Sequence, residues 1–109
     1  MKQPTPSIAS ILIMVTTLLP SFSAAQGVLL AGDAESGASI YKDNCMSCHV
    51  DQFGGDGSSV MTRDPRIVNS IEGLMGQVAR CNAMTSAGLD SDQEDDLVAY
   101  LNETWYHFE

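Results

Sequence analysis

Positive charge is scarce in this sequence, which sets five Lys and Arg against fourteen Asp and Glu for a formal net charge of −9. So acidic a chain argues against nucleic acid or an anionic lipid surface as partner. It favours a partner protein with a basic docking patch and an association that weakens with salt. Solubility alone accounts for the acid equally well. Long hydrophobic runs are absent too. The longest, IASILIMVTTLL from Ile8 to Leu19, has 12 residues, where a membrane-spanning helix needs roughly 20.

The start of the chain reads as a targeting segment. Lys2 is the only charge before Asp33, and the apolar run is followed by Pro20 and SFSAAQ. A basic start, a short apolar stretch and small residues at Ser23 and Ala25 have the pattern of a secretory signal peptide cleaved before Gln26. The alternative is an uncleaved N-terminal anchor. The expected division is a signal peptide over 1–25 and one domain over 26–109, periplasmic or otherwise exported, with no membrane span after signal removal. Cleavage removes Lys2 and no acid, leaving 84 residues with four basic and fourteen acidic side chains, a net charge of −10. A domain this small often leans on a disulfide, a metal or a cofactor.

Strand patterns of convincing length are missing after residue 26, and so are internal repeats. Helical patterns are present. Asp33 suits the N-cap of AESGASIYKDN, although Gly37 within it costs about 1 kcal/mol relative to Ala. A second helix is predicted from Asn69 or Ser70, with Ile71, Leu74, Met75 and Val78 on one face. A third begins at Asp90, where Gln93 completes a capping box. Its apolar stripe is Leu97, Val98, Leu101, Thr104, Trp105 and Phe108. The acids Asp92, Glu94, Asp95 and Asp96 read as a solvated helix start rather than a metal site. Residues 50–66 and 81–89 are predicted as loops.

Cysteine is sparse and odd in number: Cys45, Cys48 and Cys81. The first two belong to Cys45-Met46-Ser47-Cys48-His49, a C-x-x-C-H motif. Two thiols at that spacing reach the two vinyl groups on one edge of a porphyrin, and the next imidazole then lies under the ring to ligate iron. A thioredoxin-like thiol pair would need a preceding strand in a βαβ setting, which is not visible. A zinc site could draw on these three cysteines with His49 and His107, but the second half of a zinc ribbon is missing. Cys81 is left over, open to burial as a small apolar residue, to an intermolecular disulfide, or to service as a thiolate ligand.

The domain resembles class I cytochromes c. Gly37 and Tyr41, spaced GxxxY just ahead of CMSCH, match the N-terminal helix of that family, and Leu97 and Tyr100 in DLVAYL match its C-terminal helix. The likeness spans residues 33–105. It implies an all-α, cytochrome c-like fold of three short helices and long loops around one covalent haem c, with Gly37 allowing the two helices to cross closely. It also implies a one-electron carrier rather than an enzyme, with His49 as proximal iron ligand. The distal ligand in such proteins is usually a methionine in the loop before the last helix, which points to Met84. Met75 falls on a core-facing stripe, Met61 lies in a predicted loop and Met46 sits inside the attachment motif. Thr85 stands where a proline often follows the methionine, and Pro65 comes late for the proline that usually supports the proximal histidine. An alternative function is a haem c sensor or catalytic subunit with an open or Cys81-ligated sixth position.

Overall fold

Asp33 starts the first helix as its carboxylate accepts from the backbone N–H groups of Glu35 at 2.9 Å and Ser36 at 3.3 Å. In the computed structural model, which describes residues 2–4 and 30–109, that helix is α1, Ala34–Asn44. The signal peptide predicted over 1–25 lies outside the described residues but for 2–4. The last regular helix, α5 (Ser91–Leu101), opens on the capping box. Gln93 N–H donates to Asp90 at 2.9 Å, and Asp90 N–H donates to the Gln93 side chain at 3.0 Å.

These two helices cross at very close range. A Cβ on Gly37 would run into the Asp96 carbonyl and come within 2.7 Å of the Tyr100 Cβ. The helix-weakening glycine therefore has a packing reason. The Asp33 N–H also donates to the Asp96 carboxylate at 2.7 Å, fastening the start of α1 to α5.

Between them lies more helix than the periodicity indicates. The chain breaks direction at Cys45 and resumes as α2 (Met46–Phe53), which stops at Gly54 with φ +71°. A glycine-rich turn follows, in which the Asp56 carboxylate accepts from Ser58 N–H at 3.0 Å. It leads into the short α3 (Ser59–Thr62). The sequence pattern predicts loop over 50–66, and the structure differs. Helices of one or two turns carry too few inward side chains to print a period, and in α3 only Met61 is buried.

The predicted second helix is α4 (Ile71–Thr85), capped by the Ser70 hydroxyl and ended by Ser86 at φ +54°. It continues through residues 81–85, which the sequence suggested as connection. The cause is Asn82, whose side-chain amide donates to the Leu89 carbonyl at 2.9 Å and the Glu94 carboxylate at 2.7 Å. Its carbonyl accepts from Leu89 N–H at 3.0 Å. One side chain thus ties the end of α4 to the start of α5.

After α5 the chain widens into a π-helical turn, Asn102–Tyr106, and reverses at His107. Asn102 and Phe108 exchange two hydrogen bonds, at 3.1 and 2.8 Å. The Arg66 guanidinium lies 5.2 Å from the Tyr106 ring and 5.3 Å from Phe108, closing this end. The core runs from Tyr41 through Met61, Leu74 and Val78 to Leu97, Val98 and Leu101. The described residues contain no strand, as the all-α reading requires.

Candidate functional site

The CMSCH motif straddles the junction of α1 and α2. The Cys45 N–H still bonds back to Tyr41 at 2.9 Å, while its carbonyl accepts from His49 N–H at 3.1 Å. Cys45, Cys48 and His49 are thereby turned toward one cavity of about 390 Å³, within the range of small-molecule and cofactor pockets. Leu74, Val78, Leu97 and Leu101 supply apolar walls, and Met61, Cys81 and Met84 also face it. Met46, Met75 and His107 do not line it.

The two thiols differ in setting. Cys48 is exposed and Cys45 half-buried. Burial pushes the Cys45 thiol up to about 11, and the neighbouring Cys81 and Cys48 thiols add to this. Cys45 is therefore a neutral thiol at ordinary pH.

His49 is held on its edges by two aromatic rings, Tyr41 at 5.7 Å and Phe53 at 5.8 Å, both T-shaped. Burial lowers its pKa, against an opposing pull from the Gly57 backbone. The neutral imidazole so favoured is the form that ligates a metal. Its Nδ1 is buried without a hydrogen-bond partner. Gly57, with φ +82°, packs directly against it, and a Cβ there would lie 2.7 Å from the His49 Cβ and 2.8 Å from the Val50 nitrogen. Gly57 was missed by sequence reasoning, where GGDG marks only a turn; nothing local tells which side chain the turn covers.

A second buried polar atom lacks a partner in the same place. Tyr41 is 4% exposed, and its hydroxyl makes no hydrogen bond. Burial is the main reason its pKa is pushed up to about 12, with smaller contributions from Cys45, Tyr100 and Asp56.

Of the methionines, Met61 is fully buried in the cavity wall and Met84 is 73% exposed. Met84 stands in the last turn of α4 rather than in a loop. Cys81 is half-buried one turn earlier, and the Gln77 side-chain amide donates to its sulfur at 3.3 Å.

Among the described residues there is no group of three or more His, Cys, Asp or Glu able to hold a metal ion, which disfavours the zinc reading. No strand precedes the motif among those residues, which disfavours the thioredoxin-like one. A largely apolar cavity with two thiols and an imidazole at its wall fits a flat apolar macrocycle carrying an iron. No described helix is long and apolar enough to cross a membrane.

Neither curated proteins nor solved structures give a match to this sequence. A protein family does: the one described as cytochrome c oxidase, cbb3-type, subunit III, over residues 32–101. That stretch runs from just before α1 to the end of α5 and contains every cavity-lining residue named above. The chain belongs to this family and is a class I c-type cytochrome domain, whose cofactor is covalently bound haem c.

Proposed function

We propose that the protein is an exported one-electron carrier with a single haem c. The observation that carries this is the placement of Cys45, Cys48 and His49 together on the wall of one large apolar cavity. Bound haem supplies the ferric–ferrous couple. Cys45 and Cys48 hold its edge through thioether bonds, and His49 is the proximal ligand, its ring fixed between Tyr41 and Phe53. The distal donor comes from α4, where Met84, the residue pointed to by the family resemblance, and Cys81 both face the cavity. A thioether there favours the reduced iron and raises the potential.

The protein's own contribution is ligation, burial and docking, not catalysis. Asp90, Asp92, Glu94, Asp95 and Asp96 at the head of α5 suit a redox partner with a basic patch. Residues 1–25 act as the signal peptide that takes the domain to an oxidising compartment. A second reading, a haem c sensor or catalytic subunit with an open sixth position, is favoured by the exposure of Met84.

Expression alongside a cytochrome c maturation system and a pyridine haemochrome assay test the proposal. One covalent haem c per chain is the expected result, with loss of covalent haem in Cys45→Ala/Cys48→Ala. Absence of covalent haem in the unmutated protein overturns both readings. Ready binding of carbon monoxide to the ferrous protein favours the sensor reading over the carrier.

A further inference from the structure

We infer that the distal donor to the haem iron is the Cys81 thiolate rather than the Met84 thioether. The inference rests on the haem c reading above and concerns only which atom completes it.

The direction of α4 is the first reason. Ile71, Leu74 and Val78 are its buried residues, 7%, 1% and 5% exposed, with Leu74 the deepest. At 100° per residue, Cys81 returns to within about 20° of Leu74, whereas Met84 stands about 80° away. Cys81 therefore continues the inward line of the helix. Met84 leaves it, and its 73% exposure is the consequence. Asn82 holds this orientation, since its three hydrogen bonds to Leu89 and Glu94 keep the last turn of α4 from rotating Met84 inward.

The surroundings of the sulfur are the second reason. The Gln77 amide already donates to Cys81 Sγ at 3.3 Å, and hydrogen bonds to a ligating sulfur are a recognised means of tuning it. The third is another group on the same cavity. Tyr41, 4% exposed with an unpartnered hydroxyl, lines the same space, so Cys81 faces a site built to be filled and not a packing defect. His49 and Cys81 also reach the cavity from different helices, α2 and α4. α2 packs on α1 and α3, while α4 packs on α5.

On coordination the S–H bond of Cys81 breaks, its proton leaves to water at the cavity mouth, and an iron–sulfur bond forms; no electron is transferred in this step. An anionic sulfur stabilises ferric iron, so the domain is a low-potential carrier compared with a methionine-ligated one.

The experiment uses purified holoprotein of the unmutated chain, Cys81→Ser, Cys81→Ala and Met84→Leu. Haem content by pyridine haemochrome reports on the haem reading separately from ligation. Optical, near-infrared and electron paramagnetic resonance spectra of the ferric state report on the donor. The expected result is a low-spin thiolate spectrum without the methionine–iron charge-transfer band in the unmutated protein and in Met84→Leu. Cys81→Ser and Cys81→Ala lose that spectrum and, when reduced, bind carbon monoxide. A methionine band in the unmutated protein that vanishes in Met84→Leu overturns the inference, as does unchanged ligation in Cys81→Ala. The unmutated spectrum decides the matter even if a variant fails to fold. A chain without covalent haem marks the failure of the haem reading itself.

Discussion

The Gly57 backbone lies against His49 so closely that a Cβ at Gly57 would sit 2.7 Å from the His49 Cβ. With φ at +82° the position is also closed to ordinary side chains by backbone strain. Gly57→Ala is expected to cost about 1–3 kcal/mol from that strain, plus whatever displacement of His49 relieves the contact. Urea unfolding of the holoprotein measures the first part. The second appears as a changed ferric spectrum, and a variant with unmutated stability and spectrum would contradict the packing described.

Gly37→Ala tests the crossing of α1 and α5. The obstruction is backbone, the Asp96 carbonyl, so no side-chain rotation removes it. Overpacking of this kind costs about 1–3 kcal/mol. A lower urea midpoint with unchanged m-value is expected, because the helices separate without the unfolded state changing.

Asn82→Ala removes three hydrogen bonds that no neighbouring group replaces. At roughly 1 kcal/mol for each such bond, the loss is about 2–3 kcal/mol. Hydrogen exchange should show the added opening at Ser86–Asp90 and the last turn of α4, with α1 unaffected until global unfolding.

The pH dependence of stability should differ between apo and holo protein. Cys45 and Tyr41 both have folded pKa values raised, to about 11 and about 12. A raised value means the folded state holds the proton more tightly, so this contribution is complete below the unfolded pKa of each group. It is lost as pH rises through the folded values. The apoprotein should therefore weaken above about pH 9, the ordinary thiol value. With Cys45 converted to a thioether in the holoprotein, as proposed above, it would not titrate, so the decline should begin later, with Tyr41. His49 acts at the other end: its lowered pKa favours the neutral ring, and apoprotein loses that stability as pH falls below about 6.5. Thermal melts across pH check both limbs, and coincident alkaline declines would rule out the assignment to Cys45.

In the apoprotein the same thiol should react slowly. At pH 8 only about one Cys45 in a thousand is thiolate if its pKa is about 11. Iodoacetamide labelling followed by peptide mapping should find Cys48 modified well before Cys45, and equal rates would refute the burial described.

Much of the fold was legible because its instructions are local. Asp33 and the Asp90–Gln93 pair announce helix starts within four residues of themselves, and Leu97, Val98 and Leu101 repeat at helical spacing. Gly37 was legible through its unexplained cost. What escaped notice depends on distant partners. Asn82 extends α4 through a carboxylate 12 positions away, and Gly57 covers a histidine that only the folded turn brings to it. The motif residues could be grouped from spacing alone. The wall they face could not, since its membership follows from how α4 is rotated.

The π-helical turn and the Arg66 stack have an electrostatic consequence. α5 and the turn form one continuous rod of 16 residues, Ser91 to Tyr106, roughly 24 Å long at 1.5 Å per residue. Five acids crowd its head, while its tail is clasped by the Arg66 guanidinium over Tyr106 and Phe108. Side-chain charge along this rod is therefore most negative at the head, while at the tail Arg66 offsets Glu103, a gradient opposed to the dipole of the helix backbone. A cationic surface exerts a torque on such an arrangement of charge at long range, before any contact.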